Sequence, residues 1–212
     1  MSGLVPARGR FISLEGGEGV GKSTQVQALA EALRRRRVEV VVTREPGGSE
    51  GAEKIRELLL TGDDARWGPQ AEALLFAAAR ADHVDKLIRP AVESGQWVLS
   101  DRFVDSSLAY QGGAGALGID AVRLVNALAV GDCSPDRTLV LALVEGGARA
   151  RARDNEDSDR IGGRHSDYHR KVDLAFSQIA AEEPQRVRIV DASGKAAEVT
   201  QRLLAEIADL LP

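Results

Sequence analysis

Cysteine is nearly absent from this chain, and its scarcity limits the chemistry available to the protein. Cys133 is the only cysteine among 212 residues, which excludes an internal disulfide and a metal site built from cysteines. A chain with a single thiol fits the reducing cytoplasm, and we predict that location. A lone cysteine is most often a small core residue, so we expect Cys133 to be buried and without a reactive role.

Long apolar runs and an excess of positive charge are also missing. No stretch approaches the roughly 20 apolar residues that a membrane-spanning helix needs, and residues 1–10 lack the apolar centre of a secretory signal. The 28 basic and 32 acidic side chains give a net charge of −4, so there is no general basic surplus to bind the phosphates of nucleic acid. We therefore expect neither a membrane nor a nucleic-acid partner, and small anionic ligands fit better.

Hydrophobic residues make up 43% of the chain, enough for a sizeable core in a single domain over residues 1–212. Short runs rich in β-branched residues alternate with helical patterns, and this alternation is typical of a parallel sheet with crossover helices. The predicted fold class is α/β, in three α/β/α layers around a five-stranded parallel sheet. The predicted strands are Phe11–Glu15, Val38–Thr43, Trp97–Ser100, Thr138–Val144 and Val187–Val190.

Two segments carry apolar residues at helical spacing, and we expect both to pack on the sheet. The first follows the first predicted strand and has Val26, Leu29, Ala30 and Leu33 on one face. The second spans Ala71–Val92 and has Leu74, Val84, Leu87, Ile88 and Val92 on one face.

A glycine-rich run directly after the first predicted strand matches the phosphate-loop pattern G-x-x-x-x-G-K-[ST]. Its glycines let backbone N–H groups turn inward around phosphate oxygens, above the positive end of the next helix. Lys22 would reach the β and γ phosphates, the Ser23 hydroxyl would suit Mg²⁺, and Thr24 is a further candidate phosphate contact. The pattern indicates a purine nucleoside triphosphate. The run comprises Gly16, Gly17, Glu18, Gly19, Val20, Gly21, Lys22 and Ser23.

Charged residues also follow the second and third predicted strands, at the edge of the sheet where α/β proteins bind ligands. Asp101 is a candidate Mg²⁺ partner, and its alternative role is to cap the next turn. Arg102 would point into the same crevice. Arg44 lies in the turn Thr43–Gly48, where it can meet an acceptor phosphate.

An aromatic ring and an arginine stand four residues apart on the second predicted helix, and hence on one face. Phe76 could stack on a base while Arg80 bonds a base carbonyl. The residues alone leave a second interpretation open, in which Phe76 packs in the core and Arg80 forms a surface ion pair.

Taken together, these motifs resemble the bacterial thymidylate kinases, which phosphorylate dTMP with ATP, from about Arg10 to Leu211. The motifs that carry the resemblance are Phe11–Thr24, Thr43–Gly48, Leu74–Arg80 followed by His83, Asp101–Phe103 with Ser106–Gly112, and Asp159–Ile161.

The resemblance implies a P-loop kinase that uses Mg²⁺, takes ATP and dTMP as substrates and forms a homodimer. Phe76 would stack on thymine and Arg80 would donate to its O4, while Ser107 and Gln111 complete the hydrogen bonding around the base. The resemblance also implies that Tyr110 crowds the 2′ position of the sugar and that the dTMP phosphate is held by Arg44, Arg56 and Arg102. Glu18 would lie between the two nucleotides near the metal, and Ala192 would belong to the adenine-side loop.

Residues 149–166 are highly charged and almost without apolar side chains, so we predict a mobile lid outside the core. Some family members carry a catalytic arginine inside the phosphate loop, but this chain has Glu18-Gly19-Val20 there. The lid would then supply that arginine. We assign Arg153 to catalysis and Arg149 to ATP binding, with Arg151 and Arg160 behind them. The acidic stretch 154–159 and Gly162, where the family commonly has glutamate, depart from the family pattern.

Catalysis would depend on charge neutralisation by Lys22, Arg102, a lid arginine and Mg²⁺, with Glu18 beside them. Two alternatives remain open at this level. One is a kinase of another small nucleoside monophosphate, such as dUMP or dCMP. The other is a nucleotide-dependent switch without catalysis, although a switch has no reason to carry acceptor residues such as Phe76 and Arg80.

Overall fold

The computed structural model describes residues 8–63, 66–115, 117–143, 161 and 165–212. Its strands are β1 (Phe11–Gly16), β2 (Val40–Arg44), β3 (Trp97–Asp101), β4 (Arg137–Ala142) and β5 (Val187–Asp191). They form one sheet in the order β2-β3-β1-β4-β5, and every neighbouring pair is parallel. The predicted α/β class and five-stranded parallel sheet are confirmed.

Helices connect the strands, as parallel pairing requires. They are α1 (Lys22–Arg34), α2 (Glu50–Leu60), α3 (Pro69–His83), α4 (Arg89–Glu93), α5 (Val104–Ser107), α6 (Ile119–Val130), α7 (Ser166–Glu182) and α8 (Ala196–Glu206). Two π-helical segments, Val84–Ile88 and Leu108–Ala114, follow α3 and α5. Within the described ranges, no helix combines the length and apolar character needed to cross a membrane.

Both faces of the sheet are covered, because successive strand residues point to opposite faces. Ile12 and Leu99 belong to a buried cluster with residues of α1 and α8. Phe11 and Val98 belong to a second cluster on the other face, which includes Cys133. A third cluster joins α7 and the segment after α5 to β4. The expected burial of Cys133 is therefore confirmed.

Several predicted boundaries differ from the structure. Val38 and Glu39 precede β2, which instead includes Arg44, and β4 ends before Leu143. The segment Ala71–Val92, predicted to be helical, is helical throughout, because α3, the π-helical segment Val84–Ile88 and α4 follow one another without a gap. Pro90, which has no backbone N–H to donate, lies in the first turn of α4 directly after the π-helical segment.

The predicted packing of Leu74 on the sheet is also wrong, because its side chain is 58% exposed. The buried face of α3 is formed by alanines together with the polar residues Glu72, Arg80 and His83. Helical periodicity identified α3, but burial of these polar side chains turns Leu74 outward.

Candidate active site

The phosphate loop runs from the end of β1 to the start of α1. Gly16 has a φ of +131°, and a Cβ on it would collide with the carbonyl oxygen of Leu141, so only glycine fits there. Gly21 precedes α1 with a φ of +88°. The first turn of α1 contains no acidic residue, which leaves the positive end of the helix available to phosphate groups.

Lys22 is the first residue of α1 and is buried beneath the loop. Its Nζ donates to the carbonyl oxygen of Gly17 at 2.6 Å. Burial, aided by the charge of Arg102, lowers the pKa of Lys22 to about 8, while Glu18 and Asp101 oppose the shift. A triphosphate in the loop would add negative charge and favour the protonated amine.

Asp101 ends β3 opposite the first turn of α1, and its Oδ2 accepts a hydrogen bond from the Ser23 hydroxyl at 2.6 Å. The alternative that Asp101 caps the next turn is wrong, because the cap residue of α5 is Phe103 and its side chain makes no capping hydrogen bond. A hydroxyl and a carboxylate thus meet beside the phosphate loop. Such hard oxygen donors fit Mg²⁺.

Arg102 links the phosphate loop to the segment after β3. Its Nη2 donates to Glu18 Oε1 at 2.6 Å, and its Nη1 donates to the Gly16 carbonyl and to Ser106 Oγ, both at 3.2 Å. The guanidinium carbon lies 5.0 Å from the centre of the Tyr110 ring. Arg102 has a φ of +73°, which is uncommon for a residue other than glycine and is often found at functional sites.

Glu18 is held from two sides, since its Oε1 also accepts a hydrogen bond from the Tyr110 hydroxyl at 3.1 Å. Burial alone would raise the pKa of Glu18, but the charges of Arg102 and Lys22 outweigh burial and lower it. The carboxylate therefore stays ionised between the loop and Tyr110.

The opposite end of the cleft contains Arg80, whose side chain is only 2% exposed. Its Nε donates to Glu45 Oε2 at 2.7 Å, its Nη1 donates to Ser107 Oγ at 3.0 Å and to Asn126 Oδ1, and its Nη2 donates to the Phe103 carbonyl at 3.0 Å. The surface ion pair considered from the sequence is therefore wrong. These bonds use four of the five N–H groups of a guanidinium, so its orientation is fixed.

Phe76 and Gln111 line the same end of the cleft. Phe76 is partly buried and also packs against the cluster around α7, so its ring has both a core side and a cleft side. Gln111 is buried, and its Nε2 donates to Glu72 Oε1 at 3.0 Å. The Tyr168 hydroxyl donates to the Tyr110 carbonyl at 2.7 Å and braces this segment.

Arg44 and Arg56 lie on the side of the cleft formed by β2 and α2. Arg44 is 53% exposed, and its Nη2 donates to Glu53 Oε2 at 3.0 Å. Arg56 Nη1 donates to the Pro46 carbonyl at 2.6 Å. Both line the cleft between the phosphate loop and the Arg80 end.

These side chains enclose one cleft with a volume of about 440 Å³. Most of the site residues predicted from the sequence line it. They are Glu18, Gly19, Gly21, Lys22, Ser23, Thr24, Arg44, Arg56, Phe76, Arg80, Asp101, Arg102, Ser107, Tyr110 and Gln111. Gly16 and Gly17 instead contribute carbonyl oxygens to Arg102 and Lys22, and Val20 is buried in the core.

The predicted adenine-side residue Ala192 does not line this cleft. It follows β5, and its N–H donates to the Ala142 carbonyl at 2.8 Å. Its loop lies beside α1, because Gln25 Nε2 donates to the Ala196 carbonyl at 3.0 Å. Ala192 thus lies in a segment that contacts α1 but is outside the cleft that the other candidates line.

The lid arginines Arg149, Arg151, Arg153 and Arg160, the acidic stretch 154–159 and Gly162 lie outside the described residues. From the predicted lid, Ile161 is buried against the cluster around α7 and lines the cleft.

Sequence reasoning missed four polar residues that support the site: Glu15, Glu45, Glu72 and Asn126. Glu15 is fully buried at the end of β1 and accepts from the Phe103 N–H at 2.7 Å and from the Ser106 hydroxyl at 2.5 Å. Burial and the nearby Asp105 raise the pKa of Glu15 to about 8. Its place in an apolar run was the one sequence signal for a buried carboxyl.

Comparisons with known proteins agree with this geometry. The family model described as thymidylate kinase matches residues 14–203. A thymidylate kinase from Rhizorhabdus wittichii is 56% identical over 206 residues, which cover 96% of this chain and 99% of the relative. One from Rhodopseudomonas palustris strain TIE-1 is 50% identical over 92% of this chain and 87% of the relative.

A solved structure gives the same result at the level of the fold. The crystal structure of thymidylate kinase from Ehrlichia chaffeensis superposes with a TM-score of 0.75 at 28% identity, covering 93% of this chain and 98% of the other. The match therefore extends over nearly the whole of both chains. With the phosphate loop, the cleft and these relatives in agreement, the chain belongs to the thymidylate kinase family.

Proposed function

We propose that the protein transfers the γ-phosphoryl group of ATP to dTMP, giving dTDP and ADP, in the synthesis of dTTP. The observation that carries the proposal is one cleft that joins a phosphate loop to the Phe76, Arg80 and Gln111 end. A protein that only bound ATP would need the loop alone. The second end fits an acceptor nucleotide with a flat base.

In the proposed reaction, an oxygen of the dTMP phosphate attacks the γ-phosphorus of ATP, and the bond from that phosphorus to the β–γ bridging oxygen breaks. The nucleophile is already anionic, so no strong general base is needed. The protein positions the two nucleotides and neutralises negative charge. Lys22 reaches the β and γ phosphates, and Arg102 binds phosphate oxygens from the acceptor side.

Magnesium fits the residues present, since Ser23 and Asp101 bring a hydroxyl and a carboxylate together at 2.6 Å. We assign Ser23, Asp101 and Glu18 to the metal side of the site. A bound Mg²⁺ would supply positive charge to the triphosphate oxygens. Glu18 also holds Arg102 at 2.6 Å, which keeps that guanidinium close to the loop.

At the acceptor end, Phe76 stacks on thymine while the last N–H of Arg80 donates to O4. Ser107 and Gln111 complete the polar contacts around the base. Tyr110 crowds the 2′ position and favours deoxyribose. Arg44 and Arg56 join Arg102 around the acceptor phosphate, and the side chains of both line the cleft.

We further propose that residues 1–212 act as one cytoplasmic kinase domain with a lid over residues 149–166. Lid closure would exclude water and limit ATP hydrolysis. Arg153 serves the transferred group, Arg149 serves ATP, and Ala192 lies on the adenine side.

We also propose that the protein is a homodimer, formed through α2, α3 and α6. Of the six exposed large hydrophobic side chains in the described ranges, four lie on these neighbouring helices: Leu58, Leu74, Leu124 and Leu128. Leu128 is 90% exposed, and a second copy of the same surface would cover it.

A panel of acceptors tests the proposed function. ADP release is followed with ATP, Mg²⁺ and one acceptor at a time: dTMP, dUMP, dCMP, dGMP or ribothymidine 5′-monophosphate. We expect the highest kcat/KM for dTMP, because dCMP and dGMP carry a different base, the ribose analogue carries the 2′-hydroxyl that meets Tyr110, and dUMP lacks the 5-methyl group that thymine can pack in the cleft. A higher kcat/KM for another acceptor would identify a different monophosphate kinase, and ADP release independent of any acceptor would favour a switch.

A further inference from the structure

Glu72 is a buried acidic residue that contacts the lining of the base end of the cleft. Its side chain belongs to α3, and the residue is 4% exposed. Glu72, Phe76 and Arg80 follow at intervals of four residues and so share one face of the helix. The Glu72 carboxylate accepts a hydrogen bond from Gln111 Nε2 at 3.0 Å, and it thereby contacts a residue that lines the cleft.

This contact decides which end of the Gln111 amide is available to a ligand. In this bond the NH₂ group of Gln111 is the donor and Glu72 Oε1 is the acceptor. With the amide flipped, Gln111 Oε1 would face Glu72 Oε1, and two acceptors would meet at hydrogen-bond distance. Glu72 therefore holds the NH₂ group of Gln111 toward itself, and the carbonyl oxygen becomes the acceptor offered to a base.

We propose that Glu72 is a positioning residue that sets base selectivity by fixing the orientation of the Gln111 amide. The inference rests on the proposed function, in which Gln111 contacts the base of the acceptor nucleotide. Gln111 Oε1 then accepts from the N3–H group of thymine, while Arg80 donates to O4.

A fixed Gln111 amide would distinguish thymine and uracil from cytosine, because these bases present different groups at N3 and C4. Thymine and uracil both present an N3–H donor beside an O4 acceptor. Cytosine presents an N3 acceptor beside a 4-amino donor. The acceptor Gln111 Oε1 would then face the acceptor N3, and the Arg80 donor would face the donor 4-amino group. Buried polar groups left unpaired in this way discriminate strongly between ligands. Glu72 would thus act against cytosine without touching the base.

The test replaces Glu72 by a side chain of nearly the same shape that can donate as well as accept. In the Glu72→Gln variant, Gln111 can turn either end of its amide toward the ligand. Dissociation constants for dTMP, dUMP and dCMP are measured by isothermal titration calorimetry on the full chain. We expect the preference for dTMP over dCMP to fall about tenfold, while the ratio of dUMP to dTMP affinity stays unchanged.

Two further variants keep the result interpretable. Leucine in Glu72→Leu cannot form a hydrogen bond to Gln111, so this variant should show the same loss of selectivity. It replaces Glu72→Gln in the test if that variant folds poorly. Glu50→Gln is the matched control, because Glu50 is exposed and forms an ion pair with Lys54 on the same helix. This control should keep the selectivity of the wild type.

Unchanged selectivity in both Glu72 variants would overturn the inference, as would an equal loss of affinity for all three nucleotides, which marks a structural role. Gln111→Ala separates this failure from failure of the proposed function. If Gln111→Ala leaves the affinity for dTMP unchanged, the proposed base site is wrong. If Gln111→Ala weakens dTMP binding while the Glu72 variants keep full selectivity, only the inference about Glu72 is wrong.

Discussion

Glu15 is the least expected residue of the site, because it is a fully buried carboxyl in the central strand of the sheet. It bonds the Phe103 N–H directly after Arg102 and the Ser106 hydroxyl, which also accepts from Arg102. The backbone and the guanidinium of Arg102 are thus both supported from β1. The cost of this support is a carboxyl removed from water.

The raised pKa of Glu15 has a measurable effect on stability. Its ordinary value of 4.5 in the unfolded chain rises to about 8 on folding, so the folded protein binds the extra proton between these values. The stability that this group contributes is then present at low pH and is lost as the pH rises from about 5 to 8. Glutamine does not titrate, so Glu15→Gln should lack this fall in the free energy of unfolding with pH.

The measurement is chemical unfolding of the wild type and Glu15→Gln at pH 5 and pH 8. The free energy of unfolding of the wild type should fall between pH 5 and pH 8, and that of Glu15→Gln should not fall for this reason. The difference between variant and wild type should therefore change by more than about 1 kcal/mol in favour of the variant. Parallel pH profiles for the two proteins would show that Glu15 does not titrate in this way.

At the scale of single residues, the sequence predicts those site residues that belong to a contiguous motif. Lys22 and Ser23 belong to a contiguous loop pattern, and the structure places both at the cleft. Glu72 and Asn126 could not be found in this way, because their partners Gln111 and Arg80 lie 39 and 46 residues away. Such contacts exist only after the helices have packed.

At the scale of elements, the strands were predictable because runs of β-branched residues are rare outside buried strands. Their ends were not, since apolar residues continue past the last ladder bond, as Leu143 does after β4. Helical spacing located α3 but misplaced Leu74, because periodicity cannot show that a helix buries Glu72 and Arg80 toward a cleft. The direction of a helix face depends on its neighbours.

The outward leucines of α6 lead to a prediction about assembly. Leu128→Glu puts a charge at the centre of the proposed dimer surface and should give monomers, because a buried unpaired charge is costly. Leu174→Glu is the matched control, since Leu174 is 67% exposed on α7 and outside that surface. Light scattering coupled to gel filtration gives the mass of each protein.

The wild type and Leu174→Glu should both elute at about twice the 22.6 kDa mass of the chain. A monomeric wild type, or a Leu128→Glu protein that stays dimeric, would show that α6 does not form the interface.

At the scale of the whole molecule, strand order explains why donor and acceptor residues meet. β1 lies between β3 and β4, so the loop after β1 adjoins Asp101 and Arg102 at the end of β3. β2, on the far side of β3, brings in Arg44. Parallel strands place all these ends at one edge of the sheet, where α/β proteins bind ligands. Residues far apart in sequence thereby share one cleft.

The proposed activity of this cleft is the transfer of a phosphoryl group from ATP to dTMP. The most direct measurement is the amount of dTDP and ADP formed from equimolar ATP and dTMP with Mg²⁺, by the wild type and by Lys22→Ala, with circular dichroism to confirm that both are folded. We predict one dTDP for each ADP, and at least an approximately hundredfold lower rate in Lys22→Ala, because the lost ammonium group stabilises charge in the transition state. ADP and free phosphate without dTDP, or a Lys22→Ala variant with near-normal turnover, would contradict the proposed activity.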